Sequence, residues 1–198
     1  MPLPRPLRLT FGLLTGSALV LGLTTSPAQA ASRGQSDSSA DVIVSDSDYN
    51  RYVYERTDIE YGETTTSSAD TTVRFYLDNS TDDTTIGDYT RLARLRVETV
   101  VKKTRKKVKT STTRYVLTYV TGSLDPLTLE RITPDGPQTV DCADVYYESD
   151  QWDFYLSVDN SCLGSKLYRV QATLETHSVD LETSTTLADS VQIKPVAY

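Results

Sequence analysis

Six cations fall within eight residues at Lys102, Lys103, Arg105, Lys106, Lys107 and Lys109. Such a run does electrostatic work: each phosphate or carboxylate it neutralises releases counterions and makes binding salt-sensitive. Its plain reading is a solvated hairpin whose like charges block edge-to-edge pairing. Its sharper reading is a contact with an anionic polymer, such as cell-wall phosphate, an extracellular polysaccharide or extracellular nucleic acid. No aromatic side chain interleaves the cations, which disfavours single-stranded nucleic acid. A second cluster, Asp78, Asp82, Asp83 and Asp88, sets carboxylates into a polar loop. Asp78, Ser80 and Asp82 alternate as a calcium loop begins, but Asp83 holds the glycine position of an EF-hand and Tyr89 its bidentate Glu position. A loose calcium site and an ordinary acidic loop are the two readings, and no other cofactor is expected. Asn79-Ser-Thr81 also fits a glycosylation sequon.

Aromatic residues gather at Tyr146, Tyr147, Trp152 and Tyr155. Rings standing outward on a sheet stack on sugars, although Tyr on an outer β face is also ordinary propensity. Trp152 shares the parity of Phe154, which points it to a core. Hydrolytic chemistry has thin support. His177 is the only His, it reads as part of a turn, and no Gly-x-Ser-x-Gly elbow exists. A pair of surface carboxylates keeps a small extracellular hydrolase as the rival to a non-enzymatic module, because their separation alone decides that chemistry. One His and two Cys cannot build the usual four-ligand zinc site.

The two Cys, Cys142 and Cys162, are read as one disulfide, because the N-terminus reads as an export signal. Arg5 and Arg8 precede the apolar run Phe11–Leu23, and Ser26-Pro-Ala-Gln-Ala30 supplies a small-x-small cleavage site. Residues 1–30 are therefore expected to be a signal peptide and the mature protein to be secreted. The apolar run is too short for a comfortable membrane span, and no Cys follows it to carry a lipid. The 198 residues carry 20 Lys+Arg against 27 Asp+Glu, a net charge of −7. Without the first thirty residues, 18 basic and 27 acidic residues remain, or −9. Setting aside the six cations of 102–109 leaves 12 against 27, or −15. The acidic balance makes nucleic acid a poor default partner.

Residues 31–48 are Ser/Asp-rich and read as a flexible leader, with Val42-Ile-Val44 as a short edge strand. From Tyr49 to Tyr198 the pattern reads as one domain, β throughout, with no helical apolar period and no repeat. Trp152–Val158, Leu167–Glu175, Thr72–Leu77 and Arg94–Val101 alternate apolar and polar side chains, so one face of each is buried. Tyr115–Val120 is apolar on both faces, as in a central strand. Weaker strands are expected at 50–60, 127–132, 140–147, 179–183 and 191–193. Turn chemistry sits between them, as at Pro134-Asp-Gly-Pro137. About nine or ten short strands predict an all-β fold, an antiparallel β-sandwich or flattened barrel.

Two stretches carry a resemblance. Thr57-Asp-Ile-Glu-Tyr-Gly62 is followed by Thr71–Asn79, and Cys142 is followed by Trp152–Gly164 and Tyr168-Arg-Val-Gln-Ala172. Together they resemble a group of uncharacterised exported actinobacterial β-sandwich proteins. In that group a strand ends in a similar Ser-Cys-Leu-Gly turn and the next opens with aromatic-Arg-Val. The Pro-Arg that commonly precedes the turn is Asp159-Asn160 here, and the basic run has no counterpart. The resemblance implies export, a sandwich and a disulfide, and it implies no activity. The expectation is thus a secreted, non-enzymatic recognition module, with a carbohydrate-binding module or a small hydrolase as alternatives.

Overall fold

The computed structural model describes residues 30–37, 41–77, 88–142, 145–149 and 153–198. Residues 1–29 of the expected signal peptide, Asp78, Asp82 and Asp83, the side chain of Asp88, the sequon at Asn79 and Trp152 lie outside the described residues. In chain order the elements are β1 (Ala31–Ser36), β2 (Ile43–Val44), α1 (Arg51–Thr57), β3 (Ile59–Thr66), β4 (Asp70–Leu77) and β5 (Asp88–Lys103). Then follow β6 (Val108–Val120), β7 (Leu127–Thr133), β8 (Gly136–Thr139), β9 (Val145–Ser149) and β10 (Asp153–Asp159). The chain closes with α2 (Asn160–Leu163), β11 (Leu167–Val179), β12 (Thr186–Gln192) and β13 (Val196–Ala197).

Two antiparallel sheets pack face to face as a sandwich. Sheet A runs β1-β3-β4-β10-β9, and sheet B runs β2-β12-β11-β5-β6-β7-β8, with β13 also pairing β11. The alternation in the sequence explains why they meet. Val73, Phe75 and Leu77 of β4 and Phe154, Leu156 and Val158 of β10 are buried from one side. Ala93, Leu95 and Val97 of β5, Leu117 of β6 and Val170, Ala172 and Leu174 of β11 meet them from the other. Burying a side chain of this size contributes about 1.5–3 kcal/mol. Gly62 lets the sheets close. A Cβ there would come within 2.7–2.8 Å of Ile193, Leu174 and Val191.

Four local expectations are corrected, one of them being the strand at 179–183, where β11 ends at Val179 and 181–183 form a turn. Within the expected leader, residues 31–36 and 43–44 form strands: β1 pairs with β3 through all six of its residues, and β2 pairs with β12. An open sheet edge accepts any backbone with free N–H and C=O groups, whatever its side chains. Gly34 fits because the Tyr61 ring occupies the place of its missing Cβ. The segment expected as a strand at 50–60 opens as helix α1, capped by the Asn50 side chain accepting from the Tyr52 amide at 2.9 Å. Its buried residues, Val53, Arg56 and Thr57, have helical i, i+3, i+4 spacing. Two of the three are polar, so no apolar stripe is visible. His177 lies inside β11, opposite Ala188 and Thr90, and not in a turn.

Two arginines, Arg56 and Arg91, are buried. Arg91 follows the inward parity of Ala93 and Leu95 and is 1% exposed. Its guanidinium sits 4.1 Å from the Tyr89 ring centroid and 4.7 Å from that of Phe154. Flat aromatic faces receive a guanidinium that is only weakly hydrated, which lowers the cost of removing it from water.

Candidate functional site

The basic run forms the tip of the β5–β6 hairpin. Thr104 closes it: its amide donates to the Lys107 carbonyl at 2.8 Å, and its hydroxyl oxygen accepts from the Lys107 amide at 3.1 Å. Lys102 stands opposite Lys109, and Lys103 opposite Val108. Like charges facing each other across a ladder repel, so this pairing survives only in water. Every residue from 101 to 109 is exposed. On the β5 side, the lateral neighbour ends where the Val100 amide donates to the Lys166 carbonyl at 2.9 Å. On the β6 side, β7 pairs only from Arg114 to Tyr119. The tip is therefore a two-stranded ribbon standing free of both sheets among the described residues.

The expected aromatic platform divides. Tyr146 lies opposite Ser157 and Tyr155 opposite Arg74 on the outer face of sheet A. Tyr147 takes the opposite parity, with its ring 5.9 Å from Phe154 and 4.4 Å from Tyr119. It packs at the margin of the core. In place of a four-residue platform, the outer face gathers around Arg74, whose guanidinium lies 3.9 Å from the Tyr76 ring centroid and 4.8 Å from that of Tyr155. Tyr61 adds an edge contact to Tyr76 at 4.9 Å. Arg74 also forms a two-pronged ion pair with Asp153, its Nε donating to Oδ1 at 3.0 Å. Burial works against the Arg74 charge, and the Asp153 bonds outweigh it and raise its pKa. In the sequence Tyr61 belongs to a second aromatic group with Tyr49, Tyr52 and Tyr54, and Tyr76 to the outward face of its strand; pairing of β3 with β4 is what brings the two rings together.

A second acidic cluster was also invisible. Carboxylate oxygens of Asp37, Asp41 and Asp189 lie within 4.8 Å of one another. Asp189 is 8% exposed, and its two oxygens accept from the Ile59 and Ser190 amides at 2.7 Å each. Burial chiefly raises its pKa to about 6; the amide bonds lower it, and Asp37 and Asp41 add repulsion. Such a trio could supply three of the six to eight oxygens that calcium takes. It is not the loop from which a calcium site was expected. Residues 37, 41 and 189 share no sequence spacing, so only pairing of both chain ends with the same region brings them together.

A hollow of about 280 Å³ beside this trio is lined by Asp41, Glu175, His177 and Asp189. These are the groups a carboxylate hydrolase would need. Two of them are already committed: Asp189 to backbone amides, and Glu175 to Arg94, with bonds of 2.6 and 3.2 Å. His177 Nε2 lies 3.6 Å from Glu175 Oε2, beyond hydrogen-bond reach.

The disulfide forms as expected between Cys142 and Cys162, with 5.9 Å between Cα atoms. It joins the segment leaving β8 in sheet B to α2, which follows β10 in sheet A. Among the described residues, no helix is long and apolar enough to cross a membrane. Compared with protein-family models, curated proteins and solved structures, the chain has no match.

Proposed function

We propose that the protein is a secreted, non-enzymatic recognition module that holds an anionic cell-wall polymer through the β5–β6 hairpin. The observation that carries this reading is the concentration of six exposed cations on a free ribbon in a chain whose remaining charge is acidic. A free ribbon can lie along a linear polyanion without distorting either sheet. Export is supported by the basic and apolar N-terminal pattern and by the cysteine pair, since disulfides persist in oxidising compartments. Kinship with exported actinobacterial sandwich proteins belongs to the same reading.

The test uses protein recovered from the culture medium and a phosphate-rich bacterial cell wall. Retention of the wild type falls as salt rises, because phosphate contacts release counterions. Changing Lys102, Lys103, Arg105, Lys106, Lys107 and Lys109 to Ser abolishes that salt-sensitive retention. Unchanged retention removes the hairpin from the function, and failure to recover the protein from the medium removes export.

A further inference from the structure

At the base of the hairpin, the outer face of sheet B holds a hollow of about 450 Å³. Its rim includes Arg94, Arg96, Arg114, Ile132, Gln171 and Gln192. The ladder sets Arg96 directly opposite Arg114, with Arg94 two residues along on the same face. Two cations facing each other across neighbouring strands destabilise the sheet.

Relief from acids reaches only part of this group. Arg94 donates twice to Glu175 and is neutralised. Arg96 meets Glu98 at 3.7 Å, too far for a hydrogen bond. Arg114 has no ion pair or side-chain hydrogen bond among the described residues. The facing pair is thus compensated by the protein on the Arg96 side only, and such local departures are where binding sites are expected.

We propose that this hollow is a binding site for a small anion, taking one carboxylate or phosphate group between Arg96 and Arg114. The planar fork of each guanidinium matches such an oxyanion and can donate two parallel hydrogen bonds. Gln171 and Gln192 offer neutral donors and acceptors to the hydroxyls of a sugar-sized ligand. Ile132, 38% exposed, offers an apolar wall. The volume falls within the range of about 300–1,000 Å³ usual for small-ligand sites. Six ladder positions separate Arg96 from Lys102, roughly 20 Å at ~3.4 Å per residue. The hollow is therefore a separate site on the same strand pair, and it stands whether or not the tip binds a polymer.

The experiment follows the arginine side-chain Nε–H signals of the full ¹⁵N-labelled protein at low salt. Sodium glucuronate, glycerol 3-phosphate and uncharged glucose are titrated separately. At least one of the two anions should shift these signals saturably, and glucose should not; which anion does so identifies the carboxylate or the phosphate source. Arg114→Gln should weaken that binding by about tenfold or more, the scale of a lost charged hydrogen bond. The six-serine hairpin variant should bind the same anion as well as wild type. Absence of a saturable shift with either anion, equal affinity in Arg114→Gln, or loss of monomer binding in the hairpin variant overturns the proposal. Monomer binding without retention on the cell wall leaves this site standing and removes only the polymer reading.

Discussion

Asp189 shows how a charge comes to be placed where hydropathy alone would not put it. Its neighbours along β12 alternate in and out, and its parity points it inward, where the Ile59 and Ser190 amides hold its carboxylate. Burial lifts its pKa from 3.8 to about 6. Between those values the folded state binds more protons than the unfolded chain, so its contribution to stability is present below 3.8 and lost as pH rises through about 6. About two pKa units correspond to a few kcal/mol at most. Asp180 acts with the opposite sign: burial opposes its charge, but the amides of Asn50, Glu182 and Thr183 outweigh burial and lower its pKa. Its contribution is lost as pH falls below the ordinary carboxylate range. The melting temperature should therefore be higher near pH 5 than near pH 7 and fall again under strong acid. A profile that rises monotonically to pH 7 contradicts this account. Parity was legible here and charge was not: Arg91, Arg56 and Asp189 all follow an inward pattern that a hydrophobicity count treats as outward.

Elements with strict alternation were readable because a half-buried strand must separate its faces by period two. β4, β11 from Val170 onward and the core half of β5 follow that rule residue by residue, whereas β10 also buries Asp153 and Ser157 on its other face. β1 and α1 were not readable, for two different reasons. β1 is held by backbone hydrogen bonds to β3, which leave no trace in its Ser, Arg, Gly and Gln side chains. α1 buries one apolar and two polar side chains, so its helical period lies in hydrogen bonding and not in hydropathy. The Cys142–Cys162 bond was readable from the export-like N-terminal pattern and the cysteine count alone, yet its role depends on topology. It spans the two sheets and encloses the β9–β10 hairpin. Replacing both cysteines by Ser should cost about 3 kcal/mol for a 20-residue separation, measured by urea unfolding under non-reducing conditions. An unchanged midpoint would show that sheet packing alone holds this corner.

At the scale of the molecule, charge is sorted and not mixed. The cations of the β5–β6 ribbon and the arginines at its base share one strand pair. Asp37, Asp41 and Asp189 gather instead where both chain ends meet. The sequence revealed the basic run because it is contiguous. It concealed the arginine pair and the acidic trio because antiparallel pairing, and not proximity along the chain, assembles them. The free ribbon has a further consequence. Beyond the sheets, both of its sides present main-chain N–H and C=O groups without strand partners among the described residues, and its like charges oppose pairing with a second copy. A polyanion bound along it would cancel that repulsion. Ligand would then act as an assembly trigger: light scattering should rise when polymer is scarce relative to protein and subside when polymer is in excess, each chain then occupied alone. Scattering that stays flat at every ratio would mean the ribbon edges are guarded by their twist and not by their charge.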